Sequence, residues 1–112
     1  MPGEIINLTT RAEVIEYFKI HKVVVMKFTA TWCGPCKKST PLVNKLFSTM
    51  PNNVSMVIVD IDKGRDISSS MKIKSVPTLY NFINGQPMDC VTGSNAQAII
   101  SFFKKTQDRA SL

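Results

Sequence analysis

Cysteine and histidine are scarce in this 112-residue chain, which has three of the first and one of the second. A tetrahedral zinc site takes four ligands, usually from a second CxxC or a histidine pair. Beyond Cys33 and Cys36 only Cys90 and His21 are left, each isolated, so no metal site is expected. Long apolar runs are also missing, and no stretch reaches membrane-spanning length. Met1 to Thr10 lacks the charged start and apolar centre of a signal peptide, so a cytoplasmic, reducing location is expected, without membrane attachment. Acidic residues are few: 8 against 14 lysines and arginines, a formal charge of +6. The basic residues are nonetheless scattered, with only pairs such as Lys37-Lys38 and Lys104-Lys105 and no interleaved aromatics, so nucleic-acid binding is not expected. Repeats, low-complexity tracts and linkers are absent, which reads as one domain over 1–112.

What is present centres on Trp32-Cys33-Gly34-Pro35-Cys36. Two cysteines three apart can close a small disulfide ring if the intervening chain turns into a helix, and Pro35 presets φ for a first helical turn. Cys33 then sits at a helix start, where unpaired N–H groups and the positive end of the macrodipole favour thiolate over thiol. The outer thiolate, Cys33, is expected to be accessible and to attack disulfides; Cys36, one turn further in, resolves the mixed disulfide.

The flanking pattern is α/β. Glu4 to Leu8 reads as a short strand. Thr10 and Glu13 have capping-box spacing ahead of a helix over Arg11 to Ile20, with Val14, Ile15 and Phe18 on its apolar face. His21 follows as a solvated or dipole-facing residue without catalytic role. Val23 to Ala30 is almost wholly apolar, as a strand buried on both faces should be, and it delivers the dithiol at its carboxyl end. A second helix from Cys33 to about Thr49 carries Leu42, Val43, Leu46 and Phe47 as its stripe, with Pro41 expected to kink it. Val54 to Ile61 is another strand, and Arg65 to Met71 a short helix. A strand from Val76 to Ile83 meets Asn84-Gly85, a strong hairpin signal, and Gln86 to Val91 returns as an edge strand marked by Pro87. Ser94-Asn95-Ala96-Gln97 has capping-box spacing before a last helix to about Thr106, and Arg109 to Leu112 is expected to fray.

Val23 to Thr31 leading into Trp-Cys-Gly-Pro-Cys-Lys, then Ser75-Val76-Pro77-Thr78, Asn84-Gly85 and Thr92-Gly93, resembles the thioredoxin family in order and spacing over nearly the whole chain. The resemblance implies a thioredoxin fold, with a central mixed sheet of about five strands flanked by about four helices. It implies a protein-disulfide reductase, active as a monomer and in electron transport, with no bound cofactor. Its disulfide would be reduced by thioredoxin reductase, a flavoprotein drawing on NADPH, and its partners would be disulfide-bearing proteins. Carried over residue by residue, Trp32 gives substrates an apolar landing surface with Asp62 placed to accept its indole N–H. Gly34 and Pro35 lie between the sulfurs. Pro77 matches a proline preceded by a cis bond, which brings Val76 beside the dithiol with its backbone free to pair with an extended substrate. Thr92 and Gly93 form the remaining edge of the docking groove.

One position departs from the family pattern. Lys27 stands where a buried aspartate is usual, and Ile58 where some relatives carry a lysine beside it. A charged Lys27 favours thiolates and the reduced form; a desolvated neutral one could act as a base; or its stem packs inside while the ammonium reaches solvent or a carboxylate such as Asp60. Asn81 interrupts an apolar strand and, if buried, needs hydrogen-bond partners. Cys90 is expected as a small packed filler, with a surface thiol as its alternative. Besides a general reductase, a specialised oxidoreductase of shifted potential and a non-catalytic partner-binding module fit the same residues.

Overall fold

The structure is a computed structural model describing residues 1–112. Its elements run β1 (Ile5–Asn7), α1 (Arg11–Ile20), β2 (Val23–Thr29), α2 (Gly34–Ser48), β3 (Val54–Asp60), α3 (Arg65–Ser70), β4 (Thr78–Ile83), β5 (Gln86–Thr92) and α4 (Ala96–Ala110). The five strands form one mixed sheet ordered β1-β3-β2-β4-β5. β3 pairs parallel to β1 and β2, whereas β4 runs antiparallel to β2 and β5. β2 is therefore central, as its apolar run required. Its side chains alternate between two cores: Val23 and Val25 pack with Val43, Phe47, Phe102 and Phe103 of α2 and α4, while Val24, Met26 and Phe28 pack with Val14, Tyr17 and Ile67 of α1 and α3. Each such fully buried apolar side chain contributes about 1.5–3 kcal/mol.

Local signals explain the boundaries. Thr10 caps α1 in a complete capping box with Glu13. Phe18 is half-buried and Ile15 exposed; Tyr17 rather than Ile15 fills the apolar face, because the helix turns that position toward Glu4, whose carboxylate accepts the Tyr17 hydroxyl at 3.0 Å. His21 caps the end of α1 through its N–H to Tyr17 O, with its ring stacked on that tyrosine at 3.9 Å. α2 runs unbroken through Pro41. Asn84 and Gly85 both have positive φ, 50° and 78°, as the tight turn between β4 and β5 demands.

Two expectations about the C-terminal part are corrected. Asn95, not Ser94, is the N-cap of α4, its side chain accepting the Ala98 N–H at 2.9 Å. The helix also continues past Thr106 to Ala110 and does not fray there. Arg109 is anchored to Asp89 of β5, Nε donating at 2.6 Å, and Ala110 is buried. Asp89 is in turn tied to Asn81, which is fully buried, takes the Asp89 N–H at 2.7 Å and donates to Asp89 Oδ2 at 3.0 Å and to Thr106 Oγ1 at 2.9 Å. The Arg109 guanidinium, by its hydrogen bond, holds the Asp89 carboxyl below the usual carboxylate range. A carboxyl whose pKa falls on folding stabilises the fold above its unfolded value, and that contribution is lost as pH drops through the folded value. Asp89→Asn should therefore cost about 2 kcal/mol near neutral pH. In urea titrations the gap to the wild type should close below about pH 4, where the unfolded carboxyl takes up its proton; a gap constant down to acid would mean the ion pair is not its source.

Candidate active site

The carboxyl ends of β2 and β3 and the loops before β4 and after β5 meet around the cysteine pair. Leaving β2, the chain turns so that the Cys33 N–H reaches Ala30 O at 3.2 Å, and Cys33 becomes the N-cap of α2 with Pro35 in the first turn. Cys33 and Cys36 are joined as a disulfide with Cα atoms 5.3 Å apart. The Cys36 N–H donates to Cys33 Sγ at 3.1 Å, so a backbone donor of the helix start is aimed at that sulfur.

The other expected residues gather at the same place. Val76 O lies 3.8 Å from Cys33 Sγ, and the Val76-Pro77 bond is cis. Pro77 O accepts the Gly93 N–H at 2.8 Å, while the Thr78 hydroxyl lies 3.4 Å from that of Thr92; the loops before β4 and after β5 are thereby fastened side by side. Gly93 has φ 96°, a conformation that favours glycine, and no heavy atom lies within 4 Å of where a Cβ would stand. Gly34 is equally open. Trp32 projects outward, 66% exposed, its indole N–H donating to Asp62 Oδ2 at 2.8 Å. The side chain is thus steered by a hydrogen bond and not packed into a core.

Cys33 departs from expectation. In the disulfide form it is 3% exposed and Cys36 1%, because both tuck against Ala30, Ile61 and Val76. The outer sulfur is outermost in order only, and the open surface belongs to Trp32, Gly34 and Pro35. Cys90 is corrected as well: it is an exposed free thiol on β5, opposite Tyr80, and not a filler. Alternation along the strand explains this: Val91 packs into the core beneath α4, so Cys90 beside it faces the opposite side of the sheet.

Beneath the pair, Lys27 is 5% exposed, and Nζ donates to Thr40 Oγ1 at 3.1 Å. The Thr40 hydroxyl donates to Cys36 O at 2.7 Å. Burial pulls the Lys27 pKa below its ordinary value. Asp60 is not its partner: that carboxylate takes the N–H groups of Asp62 at 2.8 Å and Lys63 at 3.2 Å. Lys27 forms no ion pair with a carboxylate, so that arm of the packed-stem outcome is not found. Thr40 is the site residue that the motif did not reveal; its place four residues after Cys36, on the same helix face, was the available signal.

The comparisons with known proteins agree with this geometry. The thioredoxin family model matches residues 6–105. A thioredoxin of Ictalurus punctatus is 43% identical over 79 residues, covering 70% of this chain and 74% of that protein. Mitochondrial thioredoxin 3 of Saccharomyces cerevisiae, in its oxidised form, superposes with a TM-score of 0.83 at 33% identity, covering 90% of this chain and 94% of the other. A bifunctional thioredoxin reductase/thioredoxin of Mycobacterium leprae is 29% identical over 98 residues, 88% of this chain and 21% of that protein. A disulfide-forming pair held at the end of a central strand is thus found on a scaffold already known, and the chain belongs to the thioredoxin family of thiol-disulfide oxidoreductases.

Proposed function

We propose that the protein reduces disulfides in other proteins, with Cys33 as nucleophile and Cys36 as resolving thiol. The observation that carries the direction is the Cys36 N–H aimed at Cys33 Sγ at 3.1 Å: only Cys33 has the helix start at its sulfur. Cys33 attacks a substrate sulfur and expels the other as a thiolate. Cys36 then attacks Cys33, releasing the reduced substrate and closing the protein's own disulfide. Trp32, Gly34 and Pro35 offer an exposed landing surface, Asp62 orients the indole, and the segments of Val76-Pro77 and Thr92-Gly93, joined by the Gly93 N–H to Pro77 O bond, are the backbone an extended chain would meet beside the dithiol.

The protein needs no bound cofactor, and reducing equivalents come from a thioredoxin reductase, a flavoprotein using NADPH. The Mycobacterium leprae protein, which joins the two activities by name, supports that pairing. The working form is a monomer acting in cytoplasmic electron transport; one three-residue edge strand and one edge strand bearing Pro87 favour an unpaired sheet. Iodoacetamide alkylation of the reduced protein tests the direction. A single fast site, Cys33, should show its rate midpoint at least one pH unit below the ordinary thiol value of about 8.5. In a Cys90→Ser background, which removes the exposed third thiol, equal labelling of Cys33 and Cys36, or a midpoint at the ordinary value, would reject it.

A further inference from the structure

Lys27 is a buried cation for which the oxidised structure holds no anion. The ion pairs of the molecule join Lys19 to Glu16, His21 to Glu4 and Arg109 to Asp89, leaving Lys27 with the Thr40 hydroxyl alone. Its surroundings supply no charge. In register beside it are Ile58 of β3 and Leu79 of β4. Asp60, further along β3 on the same face, accepts the Asp62 and Lys63 N–H groups at Oδ1 and forms no ion pair with Lys27. On α2, Lys37 and Lys38 are exposed, as are Lys104, Lys105 and Asp108 on α4, and Arg109 is held by Asp89. On the elements packed around it, the side chain left to become an anion is the sulfur of Cys36, the residue whose backbone carbonyl is reached from Lys27 through a single hydroxyl.

We propose that Lys27 is the charge partner of Cys36, so that once the disulfide opens, amine and sulfur hold one proton between them as a buried ammonium and thiolate. This rests on the reading of Cys33 and Cys36 as a redox pair. The arrangement carries no net charge, whereas a lone buried ammonium carries one, and a low-dielectric interior favours the neutral combination. Reduction by two glutathione thiols breaks the Cys33–Cys36 bond, passes two electrons to the protein and forms glutathione disulfide. Of the two thiol protons, one goes to the Cys33 sulfur or, above the lowered midpoint of that thiol, to solvent. The other goes to Lys27 if its amine is free beforehand, and to solvent if it is already protonated; Cys36 keeps a negative charge in both cases. The reduced form is thereby stabilised, and the protein is a weaker reductant than it would be without the lysine. The same pair prepares Cys36 for the resolving attack, because the sulfur is already ionised.

Thiolate absorbance at 240 nm in Cys33→Ser, read in a Cys90→Ser background that removes the exposed third thiol, isolates Cys36. Burial alone lifts a thiol above about 8.5, so a midpoint below that value is the expected result, moving up by at least one pH unit in Cys33→Ser/Lys27→Met. Equilibration of the intact dithiol with glutathione at pH 7 should show Lys27→Met reduced about tenfold less readily, about 30 mV. A Cys36 midpoint above that of an ordinary thiol in Cys33→Ser overturns the proposal, and so does a Lys27→Met equilibrium equal to that of the wild type. Should Lys27→Met not fold, the Cys33→Ser titration decides alone. Neither measurement involves a protein substrate, so failure to reduce one would count against the proposed function and leave this result standing.

Discussion

Serine at Cys33 should leave a folded protein that reduces insulin disulfides at least about 10³-fold more slowly, because the attacking sulfur is gone and no neighbour can take its place. Cys36 lies one turn further into the helix than Cys33, away from the helix start that favours the thiolate. Serine at Cys36 should behave differently. Attack by Cys33 proceeds, but nothing resolves the mixed disulfide, so turnover stops and substrates remain covalently attached until an external thiol frees them. In a Cys90→Ser background, a non-reducing gel after mixing with a disulfide substrate should therefore show a higher-mass adduct for Cys36→Ser and none for Cys33→Ser. Adducts on both, or residual turnover in Cys33→Ser near the wild-type rate, would assign the nucleophile wrongly. If both variants merely bound a partner as the wild type does, with no wild-type turnover, the chain would be a docking module.

The second large effect concerns stability. Asn81 has no solvent exposure and joins β4 to β5 through Asp89 and to α4 through Thr106. Asn81→Leu keeps the volume but strands the Asp89 N–H and takes one donor from its carboxylate. Leaving such groups unpaired while their surroundings stay buried should cost about 3 kcal/mol, or roughly 10–15 °C in melting temperature for a domain of this size. Urea unfolding should show the loss as a lower midpoint with unchanged slope. A loss under about 1 kcal/mol would mean that leucine packing makes up for the missing hydrogen bonds.

Much of the fold was legible because its signals are local. The alternation of Val23 to Phe28, the Thr10/Glu13 cap, Pro35 in a first helical turn and Asn84-Gly85 each act within a few residues, and each element stands within one or two residues of its expected place apart from the end of α4. That end was missed because its anchor is Asp89, 20 residues back in the chain; Lys104, Lys105, Gln107 and Asp108 look like a solvated tail, yet Thr106 and Ala110 lie on the buried face. Cys90 was misread for a related reason: its strand was recognised as an edge from Pro87, but which face of that strand α4 covers depends on residues far along the chain, and Cys90 lies on the other face from Val91. At the site, the cysteine pair was found through its spacing and the residues that meet around it through the resemblance to the family. The partner of Lys27 was not, since a buried lysine can choose any acceptor within reach, and which one it takes depends on how α2 lies across β2.

The sheet's two borders bear on behaviour in concentrated solution. β1 offers only three residues to a newcomer, and on the far border Pro87 contributes no N–H and the pairing with β4 slips between Tyr80 and Phe82. Neither rim is a flat template on which another copy could stack, so the molecule carries its own protection against fibril growth without devoting a helix to it.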